Sequence, residues 1–203
     1  MKKTALEIFD SNALLYQQKY MDLDLYDDTY LRFLSDLKKD ARLLELGCGP
    51  GNITRQLLKN RPDLKILATD FSPRMIELAK SNVPTVDFRQ ADAKQISTIS
   101  EQFDAIVCGF ITPYLDRSEV GKLLSDCAKL LISGGKLYLS TLEGDHEKSG
   151  WQSSSDGKSS TIVYLYSISD IKEMLFQNGF SYLSILRKCL NNDSHLIFIS
   201  DFS

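Results

Sequence analysis

The stretch Arg42-Leu43-Leu44-Glu45-Leu46-Gly47-Cys48-Gly49-Pro50-Gly51-Asn52 constrains this chain more than any other. An apolar run interrupted by one acid meets a turn with glycine at alternate positions, and an amphipathic segment follows from Ile53. This pattern predicts a strand, a tight loop and a helix start. Glycine has no Cβ, so three of them allow a sharp turn and a close approach of ligand to bare backbone. A plain strand-to-helix connection needs only one. The expectation is therefore a nucleotide-type cofactor site.

The remaining elements are arranged around that turn. Residues 4 to about 39 read as two helical segments, one striped by Leu6, Phe9, Ala13, Tyr16 and Tyr20, the other by Tyr26, Tyr30, Phe33, Leu34 and Leu37. Residues 1–40 are expected to form a helical lid over a cofactor-binding domain at 41–203. From residue 42 strands and helices alternate, with strands expected at 42–46, 65–70, 85–90, 103–108, 136–141, about 182–187 and about 196–200. Helix starts are marked by Ser72-Pro73 and by the capping box Asp116-x-x-Glu119, and Gly134-Gly135 is expected to end the second of these helices. Alternation of this kind predicts an α/β fold: a doubly wound, mostly parallel seven-stranded sheet. Asn191-Asn192-Asp193 is a turn signal, so the last strand should run antiparallel, at an edge. Residues 143–165 are mostly polar and serine-rich and read as a long loop or lid insertion.

Composition excludes several classes. Lys and Arg total 24 against 27 Asp and Glu, a formal net charge of -3, which gives no electrostatic footprint for nucleic acid and favours a small-molecule substrate. No run is long and apolar enough to cross a membrane, and Met1-Lys2-Lys3 leads into no signal-peptide core. A cytoplasmic monomer or homodimer is expected. Cys48, Cys108, Cys127 and Cys189 form no Cys-x-x-Cys pair, so they read as buried fillers, with neither a metal site nor a disulfide framework.

Open α/β sheets bind ligands beyond the carboxyl ends of their strands, where the strand order reverses. The informative residues lie there. Gly47, Gly49 and Gly51 follow the first strand, Asp70 the second at nineteen positions beyond Gly51, Asp92 the third, and Gly109-Phe110 the fourth. The spacing suits Asp70 to accept both hydroxyls of a ribose. A dinucleotide fingerprint would need glycine at position 52, where Asn52 stands, and no Gly-Lys-Ser/Thr follows the glycines. A cofactor with adenine and ribose but no phosphate fits, and S-adenosyl-L-methionine is the obvious one.

The segment Glu45–Asn52 resembles motif I of the Rossmann-like S-adenosylmethionine-dependent methyltransferases. Thr69–Met75, Gln90–Ala93 and Phe103–Cys108 resemble their second, third and fourth motifs, and Leu131–Leu137 the glycine turn into their fifth strand. The resemblance is close over about 40–142 and specific for fold and cofactor, not for substrate. It implies that Gly47, Gly49 and Gly51 pass the methionine part of the cofactor and that Asp70 holds the ribose. It places Phe71 and Met75 beside the adenine, Asp92 and Ala93 at its amino group, and Gly109 and Phe110 near the transferable methyl. Glu45, Cys48, Asn52, Ser72 and Ala91 belong to the same expected site.

Methyl transfer needs a general base only when the acceptor carries a proton that must leave. His146, just after the fifth strand, is the expected base, with Tyr114 and Asp116 as second choices; His146→Ala is expected to cut turnover at least tenfold. Substrate contacts are expected from Tyr16, Tyr20, Phe110, Tyr114, Trp151 and Tyr164. The family's Asn/Asp-Pro-Pro-Tyr/Phe motif is missing after the fourth strand and no metal-ligand cluster is evident, which leaves its small-molecule branch. Two alternatives stay open: an NAD-dependent oxidoreductase, and a module that binds S-adenosylmethionine without turning it over.

Overall fold

Short apolar runs become strands here because helices cover both faces of the sheet. The computed structural model describes residues 2–153 and 159–203. The run Arg42–Leu46 forms β1, Lys65–Asp70 β2, Asp87–Gln90 β3, Phe103–Cys108 β4 and Leu131–Leu142 β5. Every residue of β4 is buried, as a central strand of a two-sided sheet requires. Phe180–Leu190 and Asp193–Phe202 form the two long strands that end the fold. Between β5 and these, Gly150–Ser153 (β6) and Ser160–Val163 (β7) pair as a separate antiparallel hairpin, so the long strands are β8 and β9.

The main sheet has seven strands in the order β3-β2-β1-β4-β5-β9-β8. Pairing is parallel from β3 to β5, and β9 runs antiparallel to both of its neighbours. The last strand is therefore the antiparallel one, as expected, but it does not lie at the edge. It inserts between β5 and β8, where its run Leu196–Ile199 is fully enclosed, and β8 takes the edge. Cys189, on that edge strand, is exposed, whereas Cys48, Cys108 and Cys127 are buried fillers.

The helices start where their caps dictate. Asn52–Asn60 (α4) follows the glycine turn and buries Ile53, Thr54, Gln56 and Leu57. Ser72 accepts from the Met75 amide at the head of Pro73–Asn82 (α5). Reciprocal capping boxes, Asp116 with Glu119 and Ser167 with Asp170, open Arg117–Leu130 (α6) and Ile168–Gln177 (α7). At the end of α6 the glycines do not stop the helix. Leu131 already pairs with Phe103, and Gly134 takes φ +73 inside an irregularity of β5.

The N-terminal segment holds three helices rather than two, because Asn12 leaves helical geometry (ψ +17) between Ala5–Ser11 (α1) and Ala13–Tyr20 (α2). Asp27–Leu34 (α3) is not part of a lid. Phe33 and Tyr30 are buried against Tyr138 of β5, with ring centroids 5.6 and 5.5 Å away. Within 143–165 the described residues form the β6–β7 hairpin rather than a bare loop, and Lys3 donates its amide to the Ser160 carbonyl. The part of that insertion at 154–158 lies outside the described residues. No helix among the described residues is long and apolar enough to cross a membrane.

Candidate active site

The sheet reverses its order between β1 and β4, and a cavity of about 620 Å³ opens beyond the carboxyl ends of the strands there. Its floor is the glycine turn. Gly47, Gly49 and Gly51 all have positive φ (+68, +54 and +84), and a Cβ on Gly47 would fall 2.1 Å from Ile111 Cγ2. At the end of β2 the Asp70 carboxylate accepts from the Gly49 amide and the Ser72 amide, each at 2.9 Å. Burial pushes its pKa up and those two amides oppose the rise. Each oxygen keeps a second lone pair, and the residue lines the cavity. Asp92 lines it too, one oxygen held by the Lys94 amide at 2.9 Å.

Phe71, Met75, Ala91, Ala93, Gly109 and Phe110 complete the walls. Phe110 adopts φ +58, a region that a bulky side chain enters at a cost, and its amide donates to Ser140 Oγ at 2.8 Å. A Cβ on Gly109 would meet Ile53 Cδ1 at 2.3 Å, so the tip of that α4 side chain packs against bare backbone at the strand end.

A smaller cavity of about 220 Å³ adjoins the first and shares Phe9, Tyr16, Phe110 and Tyr114 with it. Its other walls come from distant parts of the chain: Tyr20, Tyr26, Tyr30, Asn52, Gln56, Leu142 and His195 among them. Phe9 of α1 roofs the junction, its ring 5.0 Å from Tyr114 and 6.4 Å from Phe71. Asp10 fastens that helix down, accepting from the Ser72 hydroxyl at 2.7 Å and the Arg74 amide at 3.2 Å. Burial raises the pKa of the Tyr16, Tyr26 and Tyr114 hydroxyls, Tyr114 to about 12, so all three are protonated at neutral pH.

Of the residues singled out from sequence, Gly47, Gly49, Asp70, Phe71, Met75, Ala91, Asp92, Ala93, Gly109, Phe110, Tyr16 and Tyr114 line the larger cavity. Asn52 and Tyr20 line the smaller one. Glu45, Cys48, Gly51 and Ser72 line neither. Glu45 is fully buried in β1, where its Oε2 accepts from Thr54 Oγ1 at 2.6 Å while Oε1 has no partner. Burial raises its pKa to about 8. Cys48 packs inward, Gly51 caps α4 against Ala79 and Val83, and Ser72 caps α5.

The expected base is misplaced. His146 lines an open surface groove with Arg117, Glu143 and Asp170, and this groove shares no residue with either cavity. Gly144 bonds to the Tyr166 carbonyl as β5 ends, which turns the chain away from the cleft. His146 Nδ1 then pairs with the Leu165 carbonyl at 2.9 Å, with its ring against Tyr164 and Tyr166. Asp116 serves as the cap of α6. Trp151 and Tyr164 line neither cavity; they line a neighbouring depression that shares Thr4, Ala5, Lys94 and Tyr114 with the larger one, where Lys2 Nζ sits 4.5 Å over the Trp151 ring.

Several lining residues were not expected as site residues, His195, Tyr26 and Gln56 of the smaller cavity among them. A signal for His195 existed. An antiparallel last strand must begin at the end where the parallel strands finish, and His195 stands two residues past the turn at Asn191–Asp193. The register confirms the placement, with His195 opposite Leu142 at the carboxyl end of β5.

Comparison with known proteins narrows what such a cleft does. Residues 43–135 match a family profile described as a methyltransferase domain. A malonyl-[acyl-carrier protein] O-methyltransferase of Halalkalibacterium halodurans is 28% identical over 155 residues, covering 71% of this chain and 56% of that protein. A tRNA N(3)-methylcytidine methyltransferase of Schizosaccharomyces pombe is 26% identical over 169 residues, 74% of this chain and 68% of its own length. Among solved structures, a magnesium protoporphyrin IX methyltransferase of Synechocystis PCC 6803 with bound S-adenosylmethionine superposes with a TM-score of 0.76 at 17% identity. The match covers 98% of this chain and 95% of that one, a likeness of fold. The chain spans roughly half the length of the first curated relatives it matches.

Proposed function

The chain belongs to the Rossmann-like, S-adenosylmethionine-dependent methyltransferases, and from that premise we propose that it methylates a small molecule by in-line transfer. The observation that carries this is the charge of the larger cavity. Two carboxylates, Asp70 and Asp92, line it, and the single cation among its lining residues, Lys94, is paired with Glu119 at 3.2 Å. Such a wall repels phosphate and suits a neutral ribose with a cationic sulfonium and ammonium. It fits S-adenosyl-L-methionine and disfavours a dinucleotide.

When bound, S-adenosyl-L-methionine supplies a methyl group on a sulfonium that is already a good leaving group. The protein's task is then to bind and orient. Asp70 holds the ribose hydroxyls through its remaining lone pairs, Phe71 and Met75 flank the adenine, Asp92 accepts from its amino group, and the Gly47–Gly51 turn passes the amino acid end. Phe110 and Tyr114 stand at the border between the two cavities, where the acceptor meets the methyl carbon at about 3 Å; such positioning can supply several kcal/mol of the barrier. Helices α1 and α2 act as the lid, which keeps water from the junction. Enclosure by Phe9, Tyr16 and Tyr20 supports a small acceptor, and the free thiols suit a cytoplasmic setting.

Calorimetric titration with S-adenosylhomocysteine and with NAD tests the reading. Binding of the first with a Kd in the micromolar range and none of the second is expected. Binding of NAD alone would overturn it. Methyl-labelled cofactor incubated with a metabolite extract then separates an enzyme from a module that only binds.

A further inference from the structure

The smaller cavity contains a histidine for which the cofactor site has no use. His195 is 7% exposed, and its Nδ1 lies 2.5 Å from Tyr26 Oη. Its ring is stacked with Tyr26 and set edge-on to Phe110 at 5.3 Å, and Phe110 is the strained residue that also walls the cofactor side. No hydrogen bond engages Nε2 among the described residues. Across the same small cavity Gln56 is 8% exposed, and its Oε1 is buried without a partner.

We propose that this cavity binds a flat, uncharged acceptor with an ionisable O–H or N–H, and that His195 takes the proton from its nucleophilic atom. The inference rests on the methyltransferase reading above. The walls select for flatness and neutrality: Tyr16, Tyr20, Tyr26, Tyr30, Phe110 and Tyr114 provide aromatic faces. Charged groups near the histidine offer little to an anion. Asp193 is on its own turn, Lys188 opposite it on β8 is spent on Asp28 at 2.6 Å, and Lys19 lies over the Tyr20 ring. A carboxylate acceptor would need no base and would want a cation that these walls lack.

In the transfer, an oxygen or nitrogen lone pair forms the bond to the methyl carbon as the carbon–sulfur bond breaks. That electron pair goes to sulfur and leaves S-adenosylhomocysteine, and the O–H or N–H proton moves to His195 Nε2. This requires the tautomer in which Nδ1–H donates to Tyr26 Oη, so Tyr26 is a positioning residue. Burial lowers the His195 pKa against a smaller opposing effect of Asp193, which keeps the imidazole neutral and able to accept at neutral pH.

The test uses the full chain saturated with S-adenosylhomocysteine and 4-nitrophenol as probe, read by the absorbance of the nitrophenolate. In the wild type the bound probe should ionise about one pH unit below the free probe, a tenfold change in its ionised ratio. His195→Asn should abolish that shift while the Kd for S-adenosylhomocysteine stays within about twofold, and Tyr26→Phe should reduce it. With labelled cofactor at pH 8, methylation of phenol, which is still protonated there, should fall about 100-fold or more in His195→Asn. Methylation of thiophenol, already a thiolate at pH 8, should change little. Equal loss on phenol and thiolate would assign His195 a merely structural role and overturn the proposal. So would methylation of malonate or aconitate in preference to the flat probes, or failure of every flat probe to bind in a chain that holds S-adenosylhomocysteine. If S-adenosylhomocysteine itself does not bind, the methyltransferase reading fails and this inference falls with it.

Discussion

The two compartments of the cleft are built by opposite means. The cofactor side is made of backbone: three left-handed glycines, amides aimed at Asp70, and strand ends contributed in sequence order by β1, β2, β3 and β4. The proposed acceptor side is made of side chains gathered from all along the chain, with Tyr26 and His195 meeting across 169 positions. A backbone site tolerates little variation because moving it moves the sheet. A side-chain site can be rebuilt by substitution while the scaffold stays. Such a division is compatible with relatives as different as a malonyl-[acyl-carrier protein] O-methyltransferase and a tRNA N(3)-methylcytidine methyltransferase.

The largest effect should come from breaking the backbone side. In Gly47→Ala the added Cβ meets Ile111 Cγ2 at 2.1 Å in a conformation (φ +68) that alanine avoids. Affinity for S-adenosylhomocysteine is expected to fall about 100-fold or more by calorimetry. A loss of only a few fold would mean that side chains hold the cofactor after all, and the contrast would fail.

Phe9→Ala tests the other side. It removes the ring that roofs Tyr114 and Phe71, and acceptor KM is expected to rise roughly three- to tenfold with cofactor Kd within about twofold. Equal weakening of both would join the two compartments into one functional unit.

Glu45 gives a subtler, pH-dependent signature of the buried scaffold. Its pKa is raised to about 8, above its ordinary 4.5, so the folded chain holds a proton that the unfolded chain releases between those values. The sign follows: stability is fully present below pH 4.5 and is lost as pH rises toward 8. Glu45→Gln should remove that decline, seen as a Tm that stays level to within about 2 °C while the wild type falls by several degrees. The smallest effect is expected for His146→Ala, with turnover within about twofold of the wild type in the label-transfer assay, since its groove is separate from the cleft.

What could be read from the chain alone follows the same division. The places of Gly47, Gly49, Asp70 and Asp92 on the larger cavity were legible because each is local: a turn needs glycines, and a strand end presents the next residue to the cleft. The strands of the main sheet were legible from alternation and the reversed last strand from the turn at Asn191–Asp193, whereas the β6–β7 hairpin was not. His146 misled because proximity in sequence to β5 says nothing about which way the chain leaves the sheet, and backbone bonds from Glu143 to Ser194 and from Gly144 to Tyr166 hold it where His146 lines a separate groove. Trp151 misled because aromatic character reveals stickiness but not address. Tyr26 showed only as part of an aromatic stripe, and a buried helical glutamine such as Gln56 acquires meaning only when a cavity opens beside it.

The slot that β9 occupies has a consequence for how the molecule is made. Strands β1 to β5 can pair as they are synthesised, whereas β9, which follows every other strand, must enter between β5 and β8. Until it does, two long strands stand with unpaired edges, and this is the interval in which a nascent sheet of this shape is open to misassociation. The glycine turn is complete long before. A growing chain could therefore hold its cofactor before it owns an acceptor wall, and ligand present during refolding should speed recovery by steadying β1–β4 while the final hairpin docks.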